Sequence, residues 1–301
     1  MSWISKARRV ASRCLTPLAL RAAKAYVAGE RLEDALAVAD RLADRGLGAT
    51  VGYWDAPNEA PSTVADAYLE GVRALAGREH AYLSIKVPSL QYRPELMGEV
   101  VAEAMRQRVR LHFDALSPET VDPSRALFEQ FLDAGAELSF TLPGRWSRSV
   151  DDAAWAVERG VMVRVVKGQW PDPAAPNRDP SEGFLEVIDA LAGRARHVAV
   201  ASHDVPLAIE AINRLRNADT SCGLELLYGL PMPRSLEMAD RLAVGVHVYV
   251  PYGRAYLPYA LSRVRSNPRI LWWLVRDAVL ACCATSPADR DEHELADARK
   301  G

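Results

Sequence analysis

The sequence is short of most features that announce a reactive centre. Its 6 histidines form no HExxH pair and no three-ligand cluster, so a metal enzyme is not expected. Its four cysteines, Cys14, Cys222, Cys282 and Cys283, lack metal-ligand spacing, and adjacent Cys282 and Cys283 are poorly placed to bond each other. They read as reduced, mostly buried thiols. No GxSxG elbow occurs, and no GxGxxG follows the first strand-like run, which disfavours an open dinucleotide-binding sheet. A net charge of −2 supplies no basic field for a nucleic-acid backbone. No apolar run reaches the roughly 18 residues that cross a bilayer. The basic, amphipathic N-terminus (residues 1–29) lacks a clean apolar signal core. It reads as a leading helix of a cytoplasmic protein, with peripheral membrane contact as the alternative for that helix. No low-complexity linker divides the chain. Residues 1–285 are therefore expected to form one domain, and the polar, charged segment 286–301 a mobile tail.

What is present is a rhythm. Short β-branched runs alternate with longer helical patterns. The runs are Ala49–Trp54, Tyr82–Val87, Val109–Ala115, Leu138–Leu142, Val161–Lys167, His197–Ser202, Gly223–Tyr228 and Val244–Val250. A helical pattern follows each, from 62–76 (Ser62 as its cap) to 256–264, with a further one at 268–282. Strands alternating with helices imply parallel pairing through right-handed crossovers, and eight such units close on themselves. The expected fold class is an α/β protein, a (β/α)8 TIM-like barrel with extra N-terminal helices and a C-terminal helix.

In such a barrel the chemistry sits where the strands end. That rule selects Lys86, Asp114, Thr141, Arg164, Lys167, His203, Glu225 and Tyr249, with Tyr259, Ser262 and Arg263 on the last barrel helix. Charges inside apolar strands are costly unless paired or serving a ligand. Other readings stand beside the functional one. Lys86 and Asp114 suit a structural ion pair. Arg164 and Lys167, three apart, point to opposite faces of an ideal strand. His203 suits a helix cap, Glu225 a satisfied interior carboxylate and Tyr249 a packing residue. His112, His197 and His247 read as structural.

The strand ends also match a known pattern. VRVVKGQW (163–170) resembles the R-L-V-K-G-A-Y strand of the proline dehydrogenase family, the flavin-dependent barrel enzymes that oxidise proline, and YVPYGRAYLPYALSRV (249–264) resembles that family's last strand and eighth helix. LSIKVPSL, LHFDA, VASHD and LLYG follow in matching order, and the resemblance spans roughly residues 25 to 275. It implies FAD, a cyclic amino acid or amine as substrate, and an electron acceptor such as a quinone. It further implies that Asp114, Thr141, Arg164, Lys167, Gly168, His203 and Glu225 contact the cofactor. Lys86, Tyr249, Tyr259, Ser262 and Arg263 would meet the substrate, with Lys86, Asp114, Tyr249 and Arg263 in the catalytic group. The chain departs from the family where Ser262 and Arg263 replace two consecutive arginines, where Glu225 and Thr141 replace glutamines, and where Leu116 replaces a carboxylate. These departures lie mostly in the pocket, so a related cyclic amine or a modified proline is an expected substrate beside proline itself. A flavin-free barrel lyase with a Schiff-base lysine at Lys86 or Lys167, and a non-catalytic ligand-binding homologue, are the alternatives.

Overall fold

The computed structural model describes residues 27–253. Within them α1 (Leu32–Ala43) precedes eight strands: β1 (Gly48–Tyr53), β2 (Ala81–Ile85), β3 (Leu111–Phe113), β4 (Leu138–Pro143), β5 (Met162–Val166), β6 (Val198–Ala201), β7 (Cys222–Leu227) and β8 (Val246–Tyr252). Between them run α2 (Pro61–Leu75), α3 (Pro94–Gln107), α4 (Val121–Asp133), α5 (Ser149–Glu158), α6 (Pro180–Leu191), α7 (Val205–Asn217) and α8 (Pro233–Leu242). The sheet closes in sequence order, β1 through β8 and back to β1, with every pair parallel. This is the expected (β/α)8 barrel. The leading helix, apart from residues 27–29, the helical patterns at 256–264 and 268–282 and the tail lie outside the described residues.

Strand parity explains why the barrel forms. One face of each strand carries the aliphatic and aromatic residues, Val51, Leu83, Phe113, Phe140, Val163, Val165, Leu224 and Val248 among them, all buried. These pack outward on the helices. Phe113 meets Phe128 of α4 edge-on at 5.0 Å, and Phe140 meets Trp155 of α5 at 5.6 Å. The inward face is different. It carries Thr50, Tyr82, His112, Thr141, Arg164 and Glu225, where barrels usually carry branched aliphatics. Glycine makes room for the larger inward rings. A Cβ on Gly52 would come within 2.3 Å of the Tyr249 hydroxyl, and one on Gly48 within 2.4 Å of the His247 ring.

Several boundaries differ from the sequence reading, and local hydrogen bonding gives the reason. Pro61, which needs no backbone donor bond, takes the first position of α2, so Ser62 lies inside the first turn rather than capping it. β3 shortens because the Val109 amide donates back to Ala104 O to close α3. β8 begins two residues late because Ala243 adopts a left-handed conformation (φ 49°) to end α8. Asp179 and Asp204 cap α6 and α7, accepting from Ser181 and Glu182 amides and from the Leu207 amide. Among the cysteines only Cys222 is described; it is free and half-buried.

Tight backbone contact fixes the loop after β4. A Cβ on Gly144 would lie 2.3 Å from Phe184 N and 2.5 Å from Phe184 Cα, so the loop and the first turn of α6 touch main chain to main chain. Backbone cannot swing aside as a side chain can. Gly144→Ala is expected to destabilise the barrel by about 1–3 kcal/mol in urea unfolding. Gly98→Ala in α3, whose Cβ would meet only Phe131 at 3.9 Å, is expected to be neutral or stabilising by up to about 1 kcal/mol. Equal losses at both positions would contradict this account of the loop.

Candidate active site

Arg164, in the middle of β5, is 4% exposed and points into the barrel. Its Nε donates to Glu225 Oε2 and its Nη2 to Oε1, both at 2.7 Å, a two-pronged contact across from β5 to β7. Nη1 donates to Asp114 Oδ1 at 2.9 Å, and the guanidinium lies 5.3 Å from the Tyr249 ring centroid. Glu225 is satisfied on all sides. It also accepts from the Thr50 hydroxyl at 2.8 Å and the Tyr82 hydroxyl at 3.2 Å. Burial works against both charges, yet each stabilises the other. Arg164 is held above its ordinary pKa by Glu225, Tyr82 and Asp114, and the Glu225 carboxyl is held below its own by Arg164 and Thr50.

The cluster extends upward to the mouth. Asp114 follows β3 and accepts from the Tyr249 hydroxyl at 3.0 Å. The Trp54 indole donates to the same hydroxyl at 3.4 Å. Lys86, just past β2, donates to the Tyr53 carbonyl and sits 3.7 Å from Asp55 Oδ1 and 5.9 Å from the Trp54 ring centroid. Burial lowers its pKa, against the pull of Asp55 and Asp114. The expected Lys86–Asp114 pair is therefore replaced by two others, Lys86 with Asp55 and Asp114 with Arg164. The phenol of Tyr249 is pushed well above its ordinary pKa by burial and by Asp114, so it stays protonated and donating.

A second group of residues lines the ends of β4 to β7. The Thr141 hydroxyl is bound to His112 Nε2 at 2.6 Å, and His112 Nδ1 meets the Ser139 hydroxyl at 2.8 Å. Burial, with Arg164 and Arg110 nearby, holds His112 well below its ordinary pKa, so the ring is neutral. Lys167 lies beyond the end of β5 and pairs with Asp204 at 2.8 Å, apart from Arg164, as their spacing implies. Gly168 takes φ 87° and packs against Arg145, whose buried Nε has no hydrogen-bond partner among the described residues. His203 does not cap α7, because Asp204 does. Its Nε2 instead accepts from the Leu227 amide at 2.8 Å, tying the end of β6 to β7. Tyr259, Ser262 and Arg263 lie outside the described residues.

The structure thus brings Lys86, Asp114, Arg164, Glu225 and Tyr249 into one network. Thr141 joins through His112, which lies 3.9 Å from Asp114. Sequence reasoning missed Thr50, Asp55, Tyr82 and Arg145, and left His112 as merely structural. Parity was the available signal for three of them, since Thr50, Tyr82 and His112 share the inward register of the charged residues. Asp55 and Arg145 sit on loops, where no register applies.

A closed parallel barrel with a buried, charged network opening at the carboxyl ends of its strands defines a β/α-barrel enzyme scaffold. No known family profile matches the chain. Proline dehydrogenase 1 of Bacillus subtilis (strain 168) is 23% identical over 263 residues, covering 82% of this chain and 87% of that protein. Proline dehydrogenase of Deinococcus radiodurans is 24% identical over 271 residues, covering 82% and 86%. The chain is thus similar to curated proline dehydrogenases along more than four fifths of both sequences. Its barrel resembles solved structures of proline utilization A from Bdellovibrio bacteriovorus (TM-score 0.72, 17% identity, 81% of this chain) and Corynebacterium freiburgense (TM-score 0.66, 18% identity, 87% of this chain). The chain spans only about a third of those proteins, 32% and 33%.

The Glu225 carboxyl, held low in the folded state, contributes stability at pH values above its unfolded pKa. That contribution disappears as the pH falls through its lower folded pKa. Urea unfolding across the acid range should therefore show a steep loss for the native chain. Glu225→Gln, which has no charge to lose, should give a lower plateau at neutral pH and a shallower acid limb. Parallel acid limbs would contradict the charge assignment.

Proposed function

We propose that this chain is a flavoenzyme holding FAD that oxidises L-proline, or a closely related cyclic secondary amine, to the imine. The likeness to curated proline dehydrogenases over more than four fifths of both chains carries the reading. The site is compatible with an anionic, phosphate-bearing cofactor. Arg145 has a buried donor without an acceptor among the described residues, beside Gly168 and next to Lys167, and both cations lie at strand ends on one side of the mouth. Arg145, Lys167 and Gly168 would hold the phosphate portion, with His203 fixing the adjoining loop. Thr141, Arg164 and Glu225 would border the ring from the barrel interior. When bound, FAD supplies a hydride acceptor for the carbon next to nitrogen.

The substrate contributes a C–H hydride carrying two electrons and an N–H proton, leaving a C=N bond. Lys86, whose pKa is lowered by burial against the pull of Asp55 and Asp114, would take that proton. Asp114 and Tyr249 orient the ring nitrogen, and their hydrogen bond keeps both side chains fixed before substrate arrives. Ser262 in place of an arginine removes one arm of the family's carboxylate clamp, leaving Arg263, so a cyclic amine with a masked carboxylate is the variant substrate to test. A charged hydrogen bond of about 1.5–3 kcal/mol is roughly ten- to a hundredfold in affinity. The electrons would pass on to an acceptor such as a quinone. A Schiff-base lyase or a non-catalytic homologue is not favoured by these relatives.

Visible spectra of the purified chain test the proposal. Oxidised-flavin bands that bleach on anaerobic addition of L-proline, or of a proline ester, are expected. A colourless protein that takes up no added FAD would overturn it. Lys86→Met should keep the flavin bands and lower kcat/KM by about 10²-fold or more; undiminished turnover would remove Lys86 from the proton step.

A further inference from the structure

The opposite, N-terminal end of the barrel carries a second polar cluster that the proposed reaction does not use. Arg110 immediately precedes β3, His197 immediately precedes β6, and His247 is the second residue of β8. All three are half-buried and turn inward. The Arg110 guanidinium lies 3.8 Å from the centroid of the Tyr82 ring, and the His247 ring lies 5.4 Å from it. A Cβ on Gly223 would lie 3.2 Å from Gly245 O and 3.8 Å from His197 Nε2, so this position has room for glycine alone beside the ring.

Arg110 lacks what a guanidinium in such a place needs. Among the described residues it makes no ion pair, its buried Nε meets no acceptor, and its Nη1 reaches only Met162 Sδ at 3.7 Å. Thioether sulfur is a weak acceptor. Glu225, the carboxylate deeper in the barrel, is already bound at both oxygens by Arg164. His247 makes no hydrogen bond among the described residues, and His197 uses only Nδ1, toward the Ser221 hydroxyl at 2.9 Å. A fixed cation and two imidazoles with ring nitrogens to spare therefore gather at the N-terminal end of the barrel.

We propose that this N-terminal cluster binds a small oxyanion of phosphate or sulfate size, held by Arg110 with His197 and His247. Donors on three different strand ends suit an ion with several acceptor oxygens, and the guanidinium fork suits an oxyanion over chloride. The site is independent of the flavin reading.

Thermal unfolding of the full chain in inorganic phosphate, against sodium chloride of matched ionic strength, tests it. At about ten times Kd the expected rise in Tm is roughly 2–3 °C. Arg110→Met should abolish the rise over chloride. His247→Gln should cut the rise to less than half, and carries the test alone should Arg110→Met fail to fold. No rise over chloride, or a rise that survives both substitutions, would overturn the proposal.

Discussion

An arginine sealed inside a β-barrel needs a partner that is equally sealed. Arg164 has one in Glu225, joined by two hydrogen bonds of 2.7 Å between β5 and β7. Desolvating two charges costs several kcal/mol each, and their attraction offsets it only when geometry and secondary hydrogen bonds are complete. Here they are complete. Thr50 and Tyr82 fill the remaining positions on Glu225, and Asp114 takes the outward guanidinium nitrogen. From that last contact the order spreads to the mouth, through Tyr249 to Trp54. The site side chains are therefore fixed by a framework that exists before any ligand binds.

The same pair shapes the barrel around it. A polar interior cannot hold itself together by hydrophobic burial, so the stability must come from the outward faces of the strands. Those faces are uniformly apolar and pack on the helices through contacts such as Phe113–Phe128 and Phe140–Trp155. Glycines at 48 and 52 leave space for the His247 and Tyr249 rings. Division of labour between the two faces separates folding from chemistry: the outer layer holds the cylinder, and the inner layer holds charge.

Much of this was legible beforehand. The alternation of β-branched runs with amphipathic helices announced eight parallel units, and the rule that sites lie at strand ends selected Lys86, Asp114, Arg164, Glu225 and Tyr249. Pairing was not legible. Lys86 and Asp114 sit on adjacent strands and looked like partners, but Asp55 on the β1 loop and Arg164 across the barrel are nearer to them. Distances across a closed barrel depend on the stagger of its strands, which single-strand periodicity does not encode. Thr50 and Tyr82 escaped notice because a hydroxyl in an apolar run looks like ordinary packing until its parity with a buried carboxylate is known.

A double-mutant cycle on Arg164 and Glu225, followed by urea unfolding at neutral pH, goes most directly to this framework. Arg164→Met or Glu225→Leu alone leaves one buried charge without its main partner and should cost about 3–5 kcal/mol. Both together should cost less than either alone, with the two losses far from additive. Additive losses would mean that the pair does not organise the barrel interior, and that the site is held by something else.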